Sequence, residues 1–365
     1  MTANVAAATD STTSPDWGHP IPDAFASVLA WLSSELPAYL QRGVVKLTPL
    51  DYQERPFSYL LKIAVTAEGD AAGRRMFVKI FKSTGSAEDV ERMRRRVVHD
   101  FERTREIHRA MSAWPDLGVI TPVAYHPEFL TTVTEEAPGR PLFEHLQAHV
   151  GWRPAVSRAE PDATMERIGR WVRAFQAATP SRGVVSLDAL RGYIDVRLAR
   201  LTTVPAAAFD ADDRRRVLAY IDRMGARVET ADVREVPIHG DLALGNILAS
   251  PGRVTVLDFA MAGTGTRLHD LSRLFVQVEL MALKPQMRTA RLQGANRALL
   301  RGFDAALTPQ QPMFRILSML HRVNHYLTLS IARGAFPARV YNWHVRRHHR
   351  AWITRELRES ARPSG

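Results

Sequence analysis

Apolar and polar positions alternate in the first third of the chain and then change rhythm. Residues 43–52 (GVVKLTPLDY), 57–67 (FSYLLKIAVTA) and 74–82 (RRMFVKIFK) are rich in β-branched and aromatic residues, and turn-forming stretches such as EGDAAG divide them. Runs of this kind predict antiparallel strands. Two more, residues 118–126 (GVITPVAYH) and 128–137 (EFLTTVTEEA), bring the expected number to five. An amphipathic helix over residues 23–36, with Asp23 near its start, precedes the strands. A charged helix over residues 86–112, capped by Ser86 and Asp89, interrupts them. Beyond the breaker APGRP the period becomes helical, over 164–179, 188–202, 210–230, 266–283, 287–306, 309–334 and 337–359. One strand–turn–strand stretch, residues 238–260, breaks this helical run. The pattern predicts an α+β chain: a tail over residues 1–20, a lobe over 21–137 built on a five-stranded antiparallel sheet, and a larger, mainly helical lobe over 138–365.

Composition adds few constraints. At 365 residues, with 45% hydrophobic and 24% charged residues and no cysteine, the chain is an ordinary soluble type without disulfides or thiolate metal sites, and a cytoplasmic address is expected. It holds no apolar run long enough to span a membrane, and its N-terminal stretch lacks the basic and apolar regions of a signal peptide. The net charge of +11 changes the picture more, because it is uneven. Residues 281–365 hold fourteen Arg and one Lys against Asp304, Glu356 and Glu359, a local +12, so the preceding residues are close to neutral. That end of the chain favours an anionic partner, or peripheral contact with a membrane surface through VYNWHVRRHHRAWITRELR. Specific nucleic-acid binding is not expected.

The chemistry concentrates in IHGDLALGNILASPGRVTVLDFA, residues 238–260. ILAS and VTVLDF read as strands around the turn SPGR, so a hairpin folds Asn246 back beside Asp258. Asp241 lies on the loop leading in. An amide oxygen and a carboxylate are hard donors suited to Mg²⁺, and the second carboxylate is free to accept a hydroxyl proton. This is equipment for phosphoryl transfer to an alcohol.

These residues resemble the aminoglycoside phosphotransferase family, small-molecule kinases with a protein-kinase-like fold. His239, Gly240, Asp241 and Asn246 match its catalytic loop, Asp258 its metal-binding Asp, and Asp270 with Leu271 its downstream Asp-Leu. IGRWVRAFQAATP is similar to the helix before the catalytic loop, with Gln176 where a His is usual. The resemblance implies a bilobal fold and ATP, with GTP as an alternative, used with Mg²⁺. It implies Asp241 as base, Asn246 and Asp258 as metal ligands, and His239 and Asp270 as supports. Lys79 is the expected phosphate-binding lysine, held by Glu102, with Glu106 as the alternative. No G-x-G-x-x-G lies between the first two strands, so backbone N–H groups near Ser58 are expected to cradle the phosphates, and Glu135 to Ala137 to meet the adenine. The expected acceptor is the hydroxyl of a small molecule. The basic C-terminal end favours a sugar or an anionic or lipid-linked saccharide over a cationic antibiotic, with an amino alcohol or a noncatalytic nucleotide-binding module as alternatives.

Overall fold

Alternation in the first third of the chain is realised as the strands of one sheet. The structure, a computed structural model, describes residues 24–69, 73–151, 159–178, 181, 183–332 and 336–360. The tail expected over 1–20 and the helix-starting Asp23 lie outside them. In chain order the first elements are α1 (Ala24–Leu40), β1 (Val44–Glu54), β2 (Ser58–Ala67), β3 (Arg74–Phe81), α2 (Ala87–Ala110), β4 (Leu117–Val119), β5 (Pro122–His126) and β6 (Thr131–Glu135). The five-stranded antiparallel sheet has the order β1-β2-β3-β6-β5. Two compact units result. One takes the described residues up to Arg94 together with Val123–Val133, and the other takes Arg95–Pro122 and everything from Thr134 on.

In the first unit α1 lays Phe25, Val28, Leu32 and Leu36 against Leu61, Ile63, Val65, Met76 and Val78, all essentially buried. Each such side chain contributes on the order of 1.5–3 kcal/mol. This cover decides the direction of β3. Met76, Val78 and Ile80 go to the α1 side, and Lys79 emerges on the opposite face beside Phe77 and Phe81.

The second unit continues with β7 (Arg140–Pro141), α3 (Leu142–Val150), α4 (Ala159–Ala178), α5 (Leu187–Thr202), α6 (Ala211–Gly225), β8 (Glu235–Ile238), β9 (Ile247–Ser250), β10 (Arg253–Val256), β11 (Gly263–Thr266), α7 (His269–Met281), α8 (Thr289–Phe303), α9 (Pro312–Ile331) and α10 (Phe336–Ser360). Two departures from the sequence pattern stand out. Leu142–Val150 is a helix where none is expected, and Gly263–Thr266 is a strand paired with Glu235–Ile238, which delays the following helix to His269. The stretch expected as one strand over 118–126 divides as well. Its first part, β4, leaves the five-stranded sheet and runs parallel to β10 in a second sheet of order β4-β10-β9-β7.

α4 presents Met165, Ile168, Trp171, Val172 and Phe175 at helical spacing to the main core. The indole N–H of Trp171 donates to the Gly118 carbonyl at 3.0 Å, which ties the helix to β4. α5 and α6 start on Ser186 and on the Asp210–Asp213 capping box. α4 and α8 cross at Gly169 and Gly302. A methyl group on Gly302 would collide with the Glu166 carbonyl, and one on Gly169 with the Leu299 carbonyl. No helix among the described residues is long and apolar enough to cross a membrane.

Two predictions follow from this packing. Gly302→Ala should force the α4–α8 crossing apart at about 1–3 kcal/mol and lower the melting temperature by about 3–10 °C. Gly192→Ala, on α5 with open space around it, should hold or raise the melting temperature; equal melting of both variants would refute the crossing argument. The second prediction concerns acid. Burial, then Arg322, His325 and His348, push His349 down to about 2; burial first also brings His145 and His348 to about 4. Such histidines bind protons more readily in the unfolded chain, so their stabilisation is complete above the ordinary value of 6.5 and is lost as pH falls from there toward 4. The urea midpoint should decline across that window. His349→Gln should flatten part of the decline, and an unchanged slope would count against His349.

Candidate active site

The loop over residues 239–246, matched above to the family's catalytic loop, is a bridge between β8 and β9, held from below. His239 and Asp270 are fully buried. The Asp270 carboxylate accepts the backbone N–H groups of His239 at 2.7 Å and Gly240 at 3.0 Å, fixing two successive peptide planes. The His239 ring then works in both directions. Its Nε2 bonds the Leu257 carbonyl at 2.9 Å, and its Nδ1 accepts the Asp241 N–H at 3.2 Å, so the ring carries its proton on Nε2. Gly240 has φ +75°, and a side chain there would run into the Met261 carbonyl, so glycine is required at the point where the loop passes the next one.

The hairpin forms as its sequence predicts. Ile247 pairs with Val256 and Ser250 with Arg253 around the turn at Pro251–Gly252. One step beyond the ladder the Leu257 N–H donates to the Asn246 carbonyl at 2.9 Å, so Asp258 follows directly on the residue facing Asn246. Asp258 has φ +64°, a left-handed backbone that aspartate and asparagine adopt more often than other residues with side chains. Asp241, Asn246 and Asp258 are all half-buried.

The Asn246 amide nitrogen donates to the Asp241 carbonyl at 3.0 Å and approaches Asp241 Oδ2 at 3.4 Å. With its nitrogen so engaged, the amide oxygen is the Asn246 atom left for a cation. Among the described residues no group of three or more His, Asp or Glu is placed to hold a metal ion. An amide oxygen and a carboxylate are hard donors, the kind that could hold a hard divalent cation.

Two residues of α7 were not singled out from the sequence. Arg273 forms an ion pair with Asp241 Oδ1, and Gln277 Oε1 accepts the Leu244 N–H at 3.0 Å. Their signal was the spacing, since both share the face of α7 that begins with Asp270. His99 of α2 bonds the Ala262 carbonyl at 3.1 Å, and Gln176, standing where a histidine is usual, donates to the Arg267 carbonyl at 3.0 Å. Both brace the segments on either side of β11.

The remaining expected residues lie as follows. The Lys79 ammonium sits 4.6 Å from the centre of the Phe81 ring. On α2, Glu102 pairs with Arg105, and Glu106 with Arg103 at 2.6 Å, each one turn along the same helix. Ser58 is buried at the head of β2. Its carbonyl takes the Arg55 N–H at 2.8 Å, which engages that amide within the turn, while Phe57 stands exposed. The Glu135 N–H donates to the Thr121 carbonyl at 3.0 Å, and Ala137 is half-buried two residues on.

Comparison with known proteins bears on this arrangement. The model of the phosphotransferase enzyme family matches residues 64–306, well over half of the chain. No curated protein sequence matches. Among solved structures, the aminoglycoside phosphotransferase APH(4)-Ia is similar with a TM-score of 0.57 at 14% identity, over 92% of this chain and 99% of that one. Plasmodium vivax ethanolamine kinase gives 0.53 at 11%, over 92% and 90%, and choline kinase from Cryptosporidium parvum 0.52 at 12%, over 92% and 96%. At such identities the structures establish a kinase-like fold. The matched segment contains the hairpin, the loop before it and Asp270. The chain belongs to the phosphotransferase enzyme family and is a kinase with a hydroxyl acceptor.

Proposed function

We propose that this kinase transfers the γ-phosphoryl group of ATP, with GTP as an alternative donor, to a hydroxyl of a small molecule, a sugar or an anionic or lipid-linked saccharide, in the cytoplasm. The observation that supports the reading is the loop whose entry Asp270 holds, in which Asn246 bonds Asp241, with Asp258 following directly on the residue that faces Asn246 across the hairpin. Asp241 orients the acceptor hydroxyl and receives its proton. Arg273 and Asn246, bound to the two carboxylate oxygens, keep that carboxylate from rotating. Asn246 Oδ1 and the Asp258 carboxylate would hold Mg²⁺, which when bound offsets the charge of the phosphates. Lys79 binds phosphate oxygens with Glu102 as its carboxylate, backbone groups around Ser58 line the phosphates, and Glu135 and Ala137 meet the base of the nucleotide. Positioning and charge neutralisation supply most of the acceleration, because phosphoryl transfer asks little covalent work of the protein.

Two features favour an anionic or neutral acceptor. Arg273 sets a guanidinium directly on the proposed base, where the ammonium of an amino alcohol would meet like charge. Residues 281–365 carry the +12 excess, whereas a polycationic antibiotic needs carboxylates. A second reading, an amino alcohol as acceptor, draws support from the fold relatives, which include ethanolamine and choline kinases.

Asp241→Asn should lower phosphoryl transfer about 10²–10⁴-fold while nucleotide affinity stays near the parent's. Transfer at the parent rate would remove Asp241 as the base. Labelled ATP offered with sugars, sugar phosphates, lipid-linked saccharides, amino alcohols and aminoglycosides should label the saccharides fastest. Faster labelling of an amino alcohol would overturn the acceptor class and leave the kinase reading intact.

A further inference from the structure

α7 has two occupied faces. Arg273 and Gln277 reach the catalytic loop. At about 100° per residue, Phe275 and Glu279 point to the opposite side of the helix, and Ala282 and Leu283 follow just past its end. There they line a cavity of about 810 Å³ bounded by α8, residues 307–310, α9 and α10. This volume lies in the range of small-molecule sites.

The walls combine apolar and cationic groups. Phe275, Leu292, Leu300 and Trp352 supply apolar surface, and Arg297, Arg301, Arg322 and Arg355 supply charge. Glu279 is the one carboxylate among the lining residues, and it is paired with Arg322. Arg322 is only 1% exposed, and its guanidinium lies 4.4 Å from the centre of the Trp352 ring. One of its nitrogens meets Glu279, while Nε and Nη1 find no acceptor among the described residues. Asn296, 3% exposed on the α8 wall, donates to the Phe275 carbonyl at 3.1 Å and leaves Oδ1 without a donor. Buried cationic N–H groups left without acceptors are costly, more so than neutral ones. An acidic group lying against Arg322, with a hydroxyl toward Asn296 and an apolar body along Trp352, would satisfy all of these groups together.

We propose that this cavity is a second ligand site that takes an amphipathic organic anion, a carboxylate, sulfonate or phosphate monoester on an apolar body. It lies across α7 from the catalytic loop and does not depend on the identity of the acceptor. The full-length protein should be titrated with naphthalene-1-sulfonate, with uncharged 1-naphthol and with inorganic sulfate, by calorimetry. The sulfonate should bind at one site and at least tenfold more tightly than either control. Because Arg322→Met leaves Glu279 unpaired and can fail to fold, the variant of choice is Arg297→Glu with Arg355→Glu, both on exposed positions. It should weaken sulfonate binding roughly tenfold, while Arg339→Glu, outside the cavity on α10, leaves it unchanged. Asp241→Asn should bind the sulfonate as the parent does. Naphthol binding as tightly as the sulfonate, equal affinity in the doubly reversed variant, or no binding at millimolar probe would each overturn the proposal.

Discussion

The carboxylate of Asp270 is the fixed point of the second unit. It lies fully buried and spends both oxygens on successive backbone N–H groups, so the peptide planes entering the loop over residues 239–246 have one orientation. Hydrogen bonds to an ionised acceptor contribute about 1.5–3 kcal/mol each, and losing this one group would strand two buried donors at once. Every later contact inherits that orientation. The His239 ring can reach Leu257 on one side and the Asp241 amide on the other only because its backbone is pinned. α7 then carries Arg273 and Gln277 along the same face to the far end of the loop. One helix thus holds its entry, its carboxylate and its exit.

Much of this arrangement is local in the chain and was therefore legible in it. The hairpin over 247–256 announces itself through Ser-Pro-Gly-Arg between two short apolar runs, and its register follows once the turn is placed. The helices of the second unit are long and strongly periodic, which makes their existence easy to read and their ends less so. Other parts depend on neighbours distant in sequence. Gly-Thr-Gly-Thr at 263–266 has poor strand propensity and is a strand only because β8 lies alongside it. β3 is apolar on both faces, and the direction of Lys79 follows from the placement of α1, which a sequence pattern does not encode. The ion pair of Arg273 with Asp241 spans 32 residues and the cavity behind α7 draws on four helices, so neither leaves a local signature.

The charge of the C-terminal end acquires structure in this fold. A single number, +12 over the last 85 residues, suggested one basic surface. The arginines instead divide among several tasks. Arg315 is bound to Glu356, Arg346 and Arg350 hold backbone carbonyls near residues 206–208, and Arg322 is buried against Trp352. Net charge therefore overstates what is offered to a partner.

Asp258 carries a consequence for protein engineering. Its left-handed backbone is one that glycine adopts more readily than any residue with a side chain, aspartate included. Directed evolution that rewards heat resistance alone would accordingly drift toward glycine at this position, discarding a carboxylate that no thermal assay detects. Libraries built on this scaffold need to hold position 258 constant, because there the preference of the backbone and the metal-holding role proposed for the carboxylate point in opposite directions.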